Sequence, residues 1–167
     1  MKSRNTEQAP LERAYQYALR LLTGRDYTAL KLGQKLRARE FGEEDVEAVV
    51  MRLTTEGWLD DRRFAERFAE SALSTGRFFG PRLRLEMRRR GVSAELVAEV
   101  VGLMQDEHNE GEELRSVLER RFPGFVFADA SDREKRRVIA FLQRRGFSGG
   151  SIRDVLYDRE YTCLNPM

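Results

Sequence analysis

The chain has 167 residues, enough for one domain or a short array of small modules. Charged residues make up 35%, against roughly 25% in an ordinary globular domain, and this surplus of charge needs a surplus of surface. The formal net charge of +2 does not by itself announce a nucleic-acid binder, and the single Cys163 excludes an internal disulfide framework.

Residues 1–10 are polar and lack the apolar stretch of a signal peptide, so they read as a flexible N-terminus. The first amphipathic helix follows with Leu11, Ala14, Tyr15, Ala18 and Leu22 on one face. A second helix carries Leu32 and Leu36, with Thr28 as its candidate cap and Lys31 where a capping box would have Glu. A short turn leads past Phe41 to a third helix with Val46, Val49 and Val50. Trp58 and Leu59 then stand at a junction; Trp58 is expected in its core, with a partner contact as the alternative.

The pattern returns twice. Phe64, Phe68 and Ala72 open the second copy, Leu114, Val117, Leu118 and Phe122 the third. Leu32 and Leu36 align with Leu83 and Met87 and with Val138 and Leu142. Phe41 aligns with Val92 and Phe147, Val46 with Val97 and Ile152, and the pair Val49–Val50 with Val100–Val101 and Val155–Leu156. Constant spacing of this kind marks tandem structural repeats. Gly91 and Gly146 mark the tight turn in copies two and three; Glu40 takes that place in copy one, so its helix end should differ. Pro81 suits a first helical position, and Ser131 to Glu134 fits a capping box. Each third helix is expected to start with acidic residues. The run Phe125 to Phe127 is strand-like but too isolated for a sheet. The expected fold is all-α: three tandem three-helix repeats at 11–58, 60–104 and 107–158 in an elongated, curved array, with a flexible C-terminus at 159–167.

Positive charge collects on the middle helix of each copy. The windows 20–39, 77–90 and 133–145 each hold six Lys or Arg and one acid. Two aligned positions are basic in all three copies: Lys31, Arg82, Arg137 and Arg39, Arg90, Arg145. A third gives Arg89 and Arg144, with Ala38 in copy one; Arg88 adjoins them. A basic helix repeated along an array suits a partner that itself repeats, such as a filament or a phosphate backbone, and arginine forks capture carboxylate or phosphate. The plainer alternative, solvated faces with i,i+4 ion pairs, stays open. Phe78 and Phe79 adjoin this charge as the one adjacent pair that could stack on single-stranded bases, but core or junction packing is expected of them.

Chemistry-bearing patterns do not emerge. His108 has no companion ligands and reads as a surface residue, and Cys163 has no histidine near it and reads as an inert thiol. Phosphate loops, dinucleotide fingerprints and nucleophile elbows are missing. The expectation is a non-enzymatic, cytoplasmic protein that takes no cofactor or metal, with no run of the roughly 18 apolar residues that would span a membrane.

Three segments carry a family resemblance: Tyr17-Ala-Leu-Arg-Leu-Leu, Tyr27-Thr-Ala-Leu-Lys-Leu and Gly57-Trp-Leu-Asp-Asp-Arg-Arg-Phe-Ala65. With Gly80-Pro-Arg-Leu-Arg-Leu-Glu-Met-Arg-Arg-Arg-Gly-Val92 they resemble the regulatory protein RecX family, closely over 14–104 and more loosely to 158. Lys31, Glu40 and the aromatic loop Gly76-Arg-Phe-Phe-Gly depart from that pattern. The resemblance implies tandem three-helix repeats in a monomer that binds the groove of the RecA–DNA filament. It further implies inhibition of RecA ATP hydrolysis, strand exchange and co-protease activity in recombination, repair and the SOS response. Lys31, Arg39, Arg82, Arg88, Arg89, Arg90, Arg137, Arg144 and Arg145 are the expected contacts. Two rival readings are a sequence-independent binder of single- or double-stranded DNA and an adaptor for another protein.

Overall fold

A computed structural model describes residues 4–107 and 109–157. His108, Cys163 and the C-terminus expected to be flexible, 159–167, lie outside the described residues. Within them the chain forms nine α-helices and no strand. They are α1 (Arg4–Gly24), α2 (Ala29–Arg37), α3 (Glu43–Thr55), α4 (Asp61–Ser74), α5 (Gly80–Arg89), α6 (Ala94–Glu107), α7 (Glu110–Arg121), α8 (Asp132–Arg145) and α9 (Gly149–Tyr157). Three tandem three-helix repeats follow: α1–α3, α4–α6 and α7–α9. α1 begins at Arg4 and holds Pro10 within it, ahead of the start expected at Leu11.

The residues fall into two compact units whose division passes through the middle repeat. One holds the described residues to Arg67 with Arg88–Leu96; the other holds Phe68–Met87 and the described residues from Val97. In the first unit α1 and α2 pack on α3. Their core is Ala14, Tyr15, Ala18, Leu32, Leu36, Val46, Val49, Leu53 and Leu59, the apolar stripes that the period-3.6 pattern places on facing helices. Fully burying one such aliphatic side chain is worth about 1.5–3 kcal/mol. In the second unit α7 and α8 pack on α9, and Leu114, Val117, Leu118, Val138, Leu142, Ile152, Val155 and Leu156 are buried. On α4 the buried face is Ala65, Ala69, Ala72 and Leu73, while Phe64 and Phe68 are only half-buried.

Trp58 departs from expectation. Leu59 is 2% exposed but Trp58 is 56% exposed. Gly57, at φ 77°, ends α3, and the Trp58 and Leu59 N–H groups both return to the Leu53 carbonyl. That turn aims Leu59 inward and leaves the indole outside. The run Phe125 to Phe127 forms turns, with Phe127 against Tyr157 at 4.8 Å between centroids.

One joint is built twice. In the first unit the Thr28 hydroxyl donates to the Arg90 carbonyl at 2.6 Å, and Thr28 is fully buried. The same oxygen accepts from the Lys31 N–H at 3.3 Å, so Thr28 caps α2 while it clamps the end of α5. Asp61, from the start of α4, accepts the Ala29 N–H at 2.8 Å. Gly91 turns here at φ 90°, and a Cβ on it would stand 2.7 Å from the Thr28 hydroxyl oxygen. In the second unit Phe79, aligned with Thr28, donates its N–H to the Arg145 carbonyl at 2.8 Å. Gly146, aligned with Gly91, turns at φ 100°, and a Cβ on it would stand 2.2 Å from the Phe79 carbonyl oxygen. Phe79 stacks on Phe147 with centroids 4.1 Å apart. In both units the turn of one repeat presses on the start of the middle helix of the repeat before it.

Glu40 adopts the same left-handed step, at φ 63°. The left-handed step is therefore kept in copy one, while the helix end differs as expected: α2 stops at Arg37 with Ala38 as a right-handed cap, whereas α8 runs to Arg145 with Gly146 as a left-handed one. Glu40 is exposed, so its side chain has room and only the backbone cost remains, about 1–2 kcal/mol.

Helix starts are capped in different ways. Ser131 and Glu134 form the expected capping box on α8. Asn109 caps α7. α3 starts with Glu43, Glu44 and Asp45, and α6 with Glu95. α9 has no acid in its first turn, against expectation. Glu110 of α7 supplies one instead, accepting from the Ser148 N–H at 2.7 Å and the Ser151 hydroxyl at 2.7 Å.

Two outcomes are expected in urea unfolding. Gly146→Ala should cost more than about 2 kcal/mol, because left-handed strain adds to overlap with a carbonyl, whereas Gly124→Ala, with open space around it at φ 74°, should cost about 1 kcal/mol. Ser131 hydrogen bonds hold the Glu134 carboxyl below its ordinary range. A depressed folded-state pKa gives stability that is present above the unfolded value and lost as pH falls through the folded one. Glu134→Gln should therefore flatten the acid side of the stability–pH curve.

Candidate functional site

Each middle helix is short and buries one narrow stripe: Leu32, Gly33 and Leu36 on α2, Leu83, Glu86 and Met87 on α5, Val138 and Leu142 on α8. The remaining positions are left to Lys and Arg. Several sit in the last turn, where cations complement the helix dipole: Lys35 and Arg37, Arg88 and Arg89, Arg144 and Arg145.

Five expected contact residues lie in the first unit. Lys31 donates to the Gln34 side chain at 3.1 Å. Arg39 lies 5.1 Å from the Tyr17 ring centroid and donates to the Tyr17 hydroxyl at 3.2 Å. Arg88 is exposed; Glu95 is held below the ordinary carboxylate range by its backbone N–H, then by Ser93, with a smaller contribution from Arg88. Arg89 is exposed and Arg90 half-buried, and both have partners within the chain.

The other four lie in the second unit. Arg137 is exposed on α8. Arg82 pairs with Glu86 at 2.9 Å, and Glu86 is 7% exposed. This pair neutralises a nearly buried carboxylate, so Arg82 already has an internal task. Its Nε is buried with no hydrogen-bond partner. Arg145 donates to the Gly76 carbonyl and lies 4.6 Å from the Phe141 ring centroid. Arg120 donates to the Ser74 carbonyl, the last of α4, at 3.2 Å, so one arginine satisfies the helix end and the other the turn that follows it. Burial pushes the Arg145 pKa down, and Arg77, Arg121 and Arg120 push it further.

Arg77, Phe78, Arg82, Phe141, Arg144 and Arg145 line an open recess of about 340 Å³ in this unit. Phe78 is held between Phe68, stacked at 6.3 Å, and the Arg77 guanidinium at 5.3 Å from its centroid. Phe122 meets Phe141 edge-on at 5.2 Å. Phe79 packs in the core as expected; Phe78 does not, and takes part in the basic surface instead. Arg77 was not among the expected contacts. Its signal was the loop that puts a basic residue directly before two aromatics. Aligned positions thus carry different duties: Arg39 leans on a tyrosine and Arg145 satisfies the turn after α4, although both follow the same turn pattern.

Among the described residues no group of three or more His, Cys, Asp or Glu could hold a metal ion. No helix among them is long and apolar enough to cross a membrane.

Family models for RecX match in series: the first three-helix domain at residues 14–53, the second at 60–101 and the third at 109–156. The chain belongs to the RecX family. Regulatory protein RecX of Trichlorobacter lovleyi is 45% identical over 84% of this chain and 92% of its own length. That of Syntrophotalea carbinolica is 34% identical over the same shares, 84% and 92%. The crystal structure of RecX from Lactobacillus salivarius superposes with a TM-score of 0.71 over 92% of this chain and 97% of that one, at 18% identity, which speaks to the RecX fold alone. The three matched RecX domains fall on the triplets α1–α3, α4–α6 and α7–α9 in turn, the first beginning within α1 rather than at its start. RecX proteins are regulators, a family not known for enzymes.

Arg145→Ala should lower stability by about 1.5–3 kcal/mol, because a charged hydrogen bond to the Gly76 carbonyl in the turn after α4 is lost. Arg144→Ala should stay within about 0.5 kcal/mol. Thermal or urea unfolding of the pair checks that sequence neighbours serve different ends.

Proposed function

We propose that this chain regulates RecA by binding the groove of the RecA–DNA filament and inhibiting its ATP hydrolysis, strand exchange and co-protease activity. The observation that carries this reading is family membership along nearly the whole chain, with all three RecX domains present in order. The exposed cations of the middle helices support it. Arg88 and Arg89 in one unit and Arg137 and Arg144 in the other lie at the surface. Several weak contacts made by linked modules sum to avidity, since each contact is intramolecular once the first has formed. The protein acts as a monomer in the cytoplasm, and occupying the filament is sufficient for inhibition without any chemistry of its own.

A second reading is sequence-independent DNA binding, favoured by the arginine recess, which has no carboxylate in its lining. It predicts tight binding to naked duplex, with a log–log salt slope of roughly −0.9 per phosphate contacted. A filament regulator binds RecA–DNA far better than either DNA alone.

The test is RecA ATPase on single-stranded DNA with and without the chain. Wild type should inhibit. Arg88→Glu/Arg89→Glu/Arg137→Glu should raise the half-inhibitory concentration at least about tenfold, equivalent to roughly 1.4 kcal/mol, with helicity by circular dichroism unchanged. These positions avoid Arg82, whose reversal would set a second carboxylate beside Glu86. No inhibition by wild type removes the filament reading; undiminished inhibition by the variant moves the contact away from these helices.

A further inference from the structure

We infer that the recess formed by Arg77, Arg82, Arg144 and Arg145 is a phosphate-binding site. The inference shares with the functional reading only the view that these arginines meet a partner, and its test needs no RecA.

Four guanidinium groups line one recess of about 340 Å³, and no acidic side chain lines it with them. Glu86 offsets Arg82 from below. Among the described residues neither Arg77 nor Arg144 has an ion-pair partner; Arg77 rests on the Phe78 ring and Arg144 is exposed. Like charges held close raise each other's energy: burial is the first cause of the lowered Arg145 pKa, and Arg77 of the recess lowers it further, as do Arg121 and Arg120 outside it. An anion in the recess would relieve it.

The arrangement is also held in place. The Gly76 carbonyl and the Phe141 ring position Arg145, Glu86 positions Arg82, and Phe78 backed by Phe68 positions Arg77. Each anchor occupies only part of a guanidinium, and the five N–H donors of an arginine leave others over. The anchoring lowers the ordering cost of binding. A carboxylate offers two oxygens, too few for several forks at once. A phosphate group offers up to three strong acceptor oxygens and more charge. The volume, at the small end of the range for small-molecule sites, exceeds what one phosphate fills and leaves room for the groups it is attached to. The Phe78 ring is already engaged by Phe68 and by the Arg77 and Arg82 guanidinium groups, so charge rather than base stacking would dominate recognition.

Two probes separate the sources of phosphate. Inorganic pyrophosphate is titrated calorimetrically, and a fluorescein-labelled oligothymidylate is followed by anisotropy at several salt concentrations. Wild type should bind at least one. Arg77→Gln/Arg144→Gln, which leaves the anchored Arg82 and Arg145 in place, should weaken that binding at least about tenfold, and on the oligonucleotide should lower the log–log salt slope by about 1.4, roughly 0.7 for each contact removed. Arg133→Gln/Arg136→Gln, on exposed α8 positions outside the recess, should bind as wild type does. Loss confined to pyrophosphate assigns the site to free phosphates, and loss on the oligonucleotide assigns it to a strand. The proposal is overturned if neither probe binds, if the recess variant binds both unchanged, or if the control pair loses as much.

Discussion

The close approach of a turn to the start of the preceding middle helix is the constraint on which the rest depends. It requires a residue without a Cβ at Gly91 and Gly146, a left-handed backbone at both, and a donor at Thr28 or Phe79 to meet the facing carbonyl. The donor is a hydroxyl in one unit and a backbone N–H in the other. The contact geometry is conserved between the copies while the chemistry that satisfies it changes. Each joint lies inside one of the two units, and their division runs through α4, α5 and α6 instead. A three-helix module of this size buries little surface alone, and the joints are where it obtains the rest.

The joint also governs the arginines. Arg90 and Arg145 give up their carbonyls to it, and Arg145 is then placed where its guanidinium reaches Gly76. A basic residue at that aligned position is thus explained by architecture before any partner is invoked. The cations that remain at the surface, Arg77, Arg88, Arg137 and Arg144 among them, are those for which architecture supplies no sufficient reason.

Much of the fold was legible because burial follows local period. Leu32, Leu36, Val46 and Val49 and their counterparts are buried where the 3.6-residue spacing places them. The capping box at Ser131 was legible because its two partners are three residues apart. What was not legible depends on partners remote in sequence. Arg145 meets Gly76 across 69 positions, and Arg39 meets Tyr17 across 22. No pattern within one repeat distinguishes a committed arginine from an available one. Trp58 was misplaced for a different reason: the turn at Gly57 shifts the register by one residue, enough to exchange an indole for Leu59 in the core. The missing acid at the start of α9 was supplied by Glu110 from another helix, a substitution that only the packing reveals.

Glu40 makes the modules non-interchangeable. At its position the other two repeats have glycine, and there a single carbon would collide with the neighbour upstream. Domain shuffling that moved the first module behind another would bring the Glu40 Cβ where a Cβ on Gly91 or Gly146 meets a hydroxyl or a carbonyl oxygen, whereas the glycines of the second and third modules avoid that overlap. The order in which the pieces can be strung together is therefore encoded in one exposed side chain, and exchanging it for glycine is the smallest edit that would lift the restriction.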